Sequence, residues 1–146
     1  MTIDDLIEMW GKDSSISGED YDIYSKKISI LHAKYLGLRI KHKIATHKKQ
    51  EVFNLEHEWW NSYYNGEFNT NSVELAKNGL EPCQGPITQA KINNLLKVNE
   101  KLRKIKMDIV IHEQITYFCD QVIQELKQRS YSLGNAIKWK IWSSGS

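Results

Sequence analysis

Residues 21–66 read YDIYSKKISILHAKYLGLRIKHKIATHKKQEVFNLEHEWWNSYYNG, and this stretch decides the fold. It contains no proline. Tyr21, Tyr24, Ile28, Leu31, Tyr35 and Leu38 alternate in steps of three and four. That spacing lays a continuous apolar seam along one side of a helix. The same frame runs on through His42, Ala45, Lys49, Val52, Glu56, Trp59 and Tyr63, with His42 and Lys49 interrupting its apolar character. The spacing predicts one long helix from about Gly18 or Glu19 to Asn65-Gly66, roughly 70 Å at ~1.5 Å per residue.

The flanking sequence extends the helical pattern. A short helix is expected over 3–10, capped by Thr2 with Asp5 in the capping-box position and ended by Gly11 and the polar run Asp13-Ser14-Ser15. Residues 66–87 carry the turn signals Asn65-Gly66, Asn78-Gly79, Glu81-Pro82 and Gly85-Pro86, with room for one helical turn over 73–77. A second long helix is expected over 88–129, capped by Thr88 and built on Ile92, Leu95, Leu102, Ile105, Ile109, Ile115, Phe118, Val122 and Leu126. The run Ser130-Tyr131-Ser132-Leu133-Gly134 is expected to break it, leaving a short amphipathic helix over 135–142 and a frayed Ser143-Ser144-Gly145-Ser146. The expected fold class is therefore all-α, a long helical hairpin with short N- and C-terminal helices. At 146 residues it is read as a single helical domain, with 1–65 and 88–146 as its two parts around the 66–87 loop. A lone hairpin leaves Trp59, Trp60, Tyr63, Trp139 and Trp142 uncovered, which points to a homo-oligomer. The other way to cover them is a bend near 42–49 that folds the first long helix back on itself.

Composition narrows the class further. No run of ~18 apolar residues exists, so no membrane span is expected. The opening Met1-Thr2-Ile3-Asp4-Asp5 has no secretory character, and a cytoplasmic protein is expected. Cys83 and Cys119 are the only cysteines and form no CxxC, which suits a reducing compartment, with Cys119 as buried packing. There is no GxxxxGK[ST], GxGxxG or HExxH, and no nucleophile placed beside a base. Neither an enzyme, a cofactor nor a metal site is expected.

The net charge of +2 conceals a block pattern. Residues 1–22 hold seven acids against Lys12. Residues 23–50 hold Lys26, Lys27, Lys34, Arg39, Lys41, Lys43, Lys48 and Lys49 with no acid at all. Lys27, Lys34, Lys41 and Lys48 recur at seven-residue spacing, which makes a stripe on a helix. Such stripes neutralise phosphates and release counterions, largely without regard to sequence. Residues 51–90 return to six acids against one base, and a second basic run follows at Lys91, Lys97, Lys101, Arg103, Lys104 and Lys106. Trp60 and Tyr64 lie just past the first block and off the seam, so they are candidate stacking surfaces for bases. The bland reading of the first block is a solvated helix face. Its functional rival to nucleic acid is a helical adaptor whose basic stripe meets an acidic protein partner.

The acidic opening, the long basic helix and the helix end Ser62-Tyr63-Tyr64-Asn65-Gly66 resemble the UvsY family of recombination mediators of tailed phages. So do Leu96-Lys97-Val98, Tyr117-Phe118-Cys119, Leu126-Lys127-Gln128-Arg129 and the aromatic tail to Gly145. The resemblance implies a non-enzymatic helical protein that assembles into a ring-like homo-oligomer. It implies single-stranded DNA, a RecA-like recombinase and the single-strand-binding protein as partners, in the cytoplasm of a phage's host. It places self-assembly in the C-terminal part, which would involve Val122, Leu126, Tyr131, Leu133, Trp139 and Trp142. One feature departs from the family: the basic motif expected before the Tyr-Tyr-x-Gly helix end reads Glu58-Trp59-Trp60. The contact with DNA is therefore expected upstream, at Lys41, Lys43, Lys48 and Lys49.

Overall fold

A computed structural model describes residues 1–15, 20–83 and 87–145. Among the described residues the chain is helical and contains no strand. The elements are α1 (Ile3–Asp13), α2 (Tyr21–Tyr64), α3 (Ser72–Lys77), α4 (Gln89–Val98) and α5 (Glu100–Ser144).

Helix ends follow local chemistry. At α1 the Thr2 hydroxyl accepts from the Asp5 N–H at 3.1 Å, and the Asp5 carboxylate accepts from the Thr2 N–H at 2.9 Å. This reciprocal pair satisfies two donors that the first turn would otherwise orphan. Gly11 does not end α1; the helix runs on to Asp13 and stops in the polar run, with Ser14 at its C-cap. Asp20 caps α2, its carboxylate accepting from the N–H groups of Asp22 and Ile23. The expected starts at Gly18 or Glu19 lie outside the described residues, as do Gly85-Pro86 and Ser146. Gly66 ends α2 with φ +80°, a left-handed conformation that glycine takes without steric cost.

Two expectations for the second half are corrected. The helix after Thr88 is interrupted at Asn99, whose backbone is extended (ψ 121°). The Asn99 side chain makes the break stable: its Oδ1 accepts from the Leu102 N–H and its Nδ2 donates to the Tyr64 hydroxyl. Conversely, Ser130-Tyr131-Ser132-Leu133-Gly134 does not break α5, which continues to Ser144. The anticipated short C-terminal helix is the last part of α5. Leu133 packs on apolar core there, which offsets the roughly 1 kcal/mol that a helical glycine costs.

The chain packs as two compact units. Unit 1 comprises Met1–Ala45 and Ile111–Ser146. Its core is Leu6, Ile28, Tyr35, Ile115, Cys119, Val122, Ile123 and Leu126, with Trp10 edge-on to Tyr35 at 5.4 Å. Cys119 is fully buried, and burial pushes its thiol up to about 11, so it packs rather than reacts. Unit 2 comprises Thr46–Val110, built on Trp60, Ile92, Leu96 and Leu102 with Phe53, Trp59, Tyr63 and Tyr64 packed against them. Each long helix contributes to both units.

Candidate nucleic-acid interface

The basic block lies on α2, and the structure sorts its cations into two groups. Lys34 pairs with Asp13 at 2.6 Å, Lys49 with Asp108 at 3.6 Å, and Arg39 with Asp120. The Lys34 contact belongs to a small network, because the Tyr35 hydroxyl donates to the same Asp13 oxygen at 2.9 Å. Partial burial pushes the Asp13 carboxyl up, but the hydrogen bonds from Lys34 and Tyr35 outweigh it and hold the group below its usual range. Burial, then the hydrogen bond to Asp13, pushes the Tyr35 phenol well up. Lys34, Arg39 and Lys49 thus each have an acidic partner within the protein, in partly exposed pairs.

The other five remain available. Lys26, Lys27, Lys41 and Lys43 on unit 1, and Lys48 on unit 2, are exposed and have no acidic partner among the described residues. The core-facing residues Ile28, Tyr35 and His42 explain why. Lys27, Lys34 and Lys41 each precede one of them, about 100° round the helix, at the border of the buried face. Lys34 alone of these meets an acid. Between the lysines of unit 1 the outer face is apolar: Ile23, Ile30, Ile40 and Ile44 are all exposed. The sequence carries this second stripe in the seven-residue spacing from Ile23 through Ile30 and Gly37 to Ile44, beside the stronger inward seam.

Of the stacking candidates, Trp60 is not presented to solvent and Tyr64 only in part. Trp60 is only 9% exposed and belongs to the core of unit 2, and Tyr64 is half-buried against it with ring centroids 5.7 Å apart. The burial of Trp60 has a geometric reason. A straight α-helix drifts ~20° per heptad against a strict seven-residue frame. After several heptads Phe53 and Trp60 have come round to the buried side, while Val52 of the original frame is exposed. Trp59 and Tyr63 are half-buried; the Trp59 Nε1 donates to Glu74 and the Tyr63 hydroxyl to the Glu81 carbonyl.

The assembly candidates divide as well. Val122 and Leu126 are 2% and 0% exposed in the core of unit 1, and Leu133 packs against the same core. Val122 and Leu126, already buried within a unit, have no surface left to offer, whereas Leu133 is only partly buried. Tyr131, Trp139 and Trp142 are exposed, with the two tryptophan rings 5.1 Å apart.

Sequence spacing gave no sign of one further contact. His42 is buried in unit 1 and meets His112, with their Nδ1 atoms 2.9 Å apart, so one ring donates and the other accepts. Burial, then the neighbouring His112 and Lys41, holds His42 below the usual imidazole range. The unfolded chain, titrating near 6.5, therefore binds this proton more readily than the folded one. Stability is expected to fall as pH drops below about 6.5. Thermal melts from pH 7.5 to 5.5 should show that fall, and His42→Gln should flatten it.

Among the described residues no three metal-ligating side chains cluster, and no helix is long and apolar enough to cross a membrane. Against known proteins, the sequence profile of a family described as "Recombination, repair and ssDNA binding protein UvsY" matches residues 9–146. A comparison with curated protein sequences finds no match. Among solved structures, the chain is similar to the bacteriophage T4 recombination mediator protein UvsY, with a TM-score of 0.81. The two are 15% identical, and the match covers 99% of this chain and 98% of that one. At that identity the likeness is one of fold.

Proposed function

Because the chain belongs to the UvsY family of recombination, repair and single-stranded-DNA-binding proteins, we propose that it is a non-enzymatic recombination mediator, binding single-stranded DNA and helping load a RecA-like recombinase onto strands coated with single-strand-binding protein. The observation that carries this reading is the set of exposed lysines on α2 with no acidic partner among the described residues: Lys26, Lys27, Lys41, Lys43 and Lys48. They can reach phosphates without breaking any internal ion pair. Lys34, Arg39 and Lys49 support the site by position and give up less charge to a ligand.

A ring-like homo-oligomer completes the proposal. It is supported by exposed apolar surface at Trp139, Ile141 and Trp142 near the end of α5. Apolar surface of this kind usually marks an interface. Repeating weak phosphate contacts around a ring gives avidity without a tight single site. Such a protein would work in the cytoplasm of the cell in which recombination takes place.

The loading assay tests the mediator role. A recombinase added to a coated strand should begin ATP hydrolysis after a shorter lag when this protein is present. An unchanged lag in the presence of demonstrable DNA binding would refute the loading step. Trp139→Ala/Trp142→Ala should lower the subunit number in analytical ultracentrifugation; an unaltered assembly would place the interface elsewhere.

A further inference from the structure

The α2 lysines leave the second basic run, residues 91–106, without a role. In unit 2 part of that run faces α2 across a groove of about 360 Å³. Phe53 and His57 of α2, Leu96 and Lys97 of α4, and Arg103 and Lys106 of α5 line it. We propose that this groove holds one nucleotide of a single strand, with the base against Phe53 and His57 and the phosphate among Lys97, Arg103 and Lys106. The inference rests on the single-stranded-DNA reading above and adds a site to it.

Size, charge and surface agree on the class of ligand. Small-molecule sites run from roughly 300 to 1,000 Å³, so the groove suits one nucleotide unit. Its lining carries three cations and no acid. None of the three has an ion-pair partner among the described residues, whereas Lys34, Arg39, Lys49 and Arg129 all do. Arginine's planar fork matches a phosphate through two parallel hydrogen bonds, and the lysines add compact charge beside it.

The remaining surface is apolar and aromatic. The Phe53 and His57 rings touch with centroids 5.7 Å apart, and Leu96 beneath is buried. Flat unpaired bases stack on such rings at about 1–3 kcal/mol each, whatever their identity. A duplex keeps its bases inside and cannot use them. An acidic peptide neutralises the cations but brings no flat partner for the rings. The break at Asn99 is what assembles the groove, because it sets α4 and α5 as separate helices, each supplying cations.

The test combines affinity with mapping. Arg103→Glu/Lys106→Glu is compared with Lys77→Glu/Lys127→Glu, which changes net charge equally at exposed positions outside the groove. Binding of a labelled oligothymidylate should weaken on the order of 10-fold more in the groove pair, with the log–log salt slope reduced by about 1.4, at ~0.7 per contact. An oligothymidylate carrying 4-thiothymidine should crosslink under near-ultraviolet light to the peptide holding Phe53 and His57. The milder Arg103→Gln/Lys106→Gln pair carries the comparison if charge reversal disturbs the helical circular dichroism. Equal affinities in both pairs, with crosslinks only elsewhere, would overturn the groove and leave DNA binding standing. A wild-type protein that binds no oligothymidylate would overturn both. Displacement of the strand by polyglutamate at equal charge concentration would assign the groove to acidic protein instead.

Discussion

Lys27→Glu/Lys41→Glu/Lys43→Glu should bind single-stranded DNA on the order of 100-fold more weakly than the wild type at moderate salt, with the helical circular dichroism unchanged. The three side chains are exposed and engage no acid among the described residues, so their replacement breaks no internal contact. Each reversal removes a phosphate contact and adds a repulsion. The log–log salt slope should fall by about 2, at ~0.7 per lost contact. Lys34→Ala provides the contrast. Its ammonium already sits 2.6 Å from Asp13, so DNA affinity should change little and stability should fall by up to about 1 kcal/mol, as for a partly exposed pair. Anisotropy titrations and urea melts on the two proteins separate the effects. Equal loss of affinity in both would mean that the internal ion pairs give way to the strand.

Leu126→Ala should destabilise the protein by about 2–5 kcal/mol, the usual range for emptying a fully buried leucine site. Leu126 has no exposed surface and packs in the cluster that holds Tyr35, Cys119 and Val122. The loss should be the same at low and high protein concentration, because the contacts lie within one chain. A loss that grows on dilution would instead make Leu126 an interface residue. Trp142→Ala is expected to behave in the opposite way, altering assembly and leaving the unfolding of unit 1 nearly unchanged, since the residue is 69% exposed.

The sequence carried the fold class and several helix ends because these depend on local chemistry. Thr2 with Asp5, Thr88 and Gly66 each act within a few residues of themselves. The break at Asn99 was not legible in this way. No proline or glycine marks it, and its stability comes partly from Tyr64, 35 residues away. Gly134 was misleading for the converse reason: a glycine that ends an isolated helix is tolerated where its neighbour Leu133 packs on a core. The buried position of Trp60 was hidden by the strict heptad frame, whose drift only matters over a helix as long as α2.

The candidate site was half legible. Composition located the basic block, but which lysines are free depends on Asp13, Asp108 and Asp120, all far from their partners along the chain. The contact between His42 and His112 and the groove of unit 2 likewise join residues that no spacing rule connects. Charge counts locate a surface, and packing decides which of its charges a ligand can use.

The most direct test of DNA binding is fluorescence anisotropy of a labelled oligothymidylate titrated with the wild-type protein across a salt series. The exposed lysines of unit 1 and the groove of unit 2 together predict tight binding at low salt and a log–log slope of about 3 or more, at ~0.7 per phosphate. Absence of binding at low salt would contradict single-stranded DNA as the ligand and assign the basic surface to an acidic protein partner.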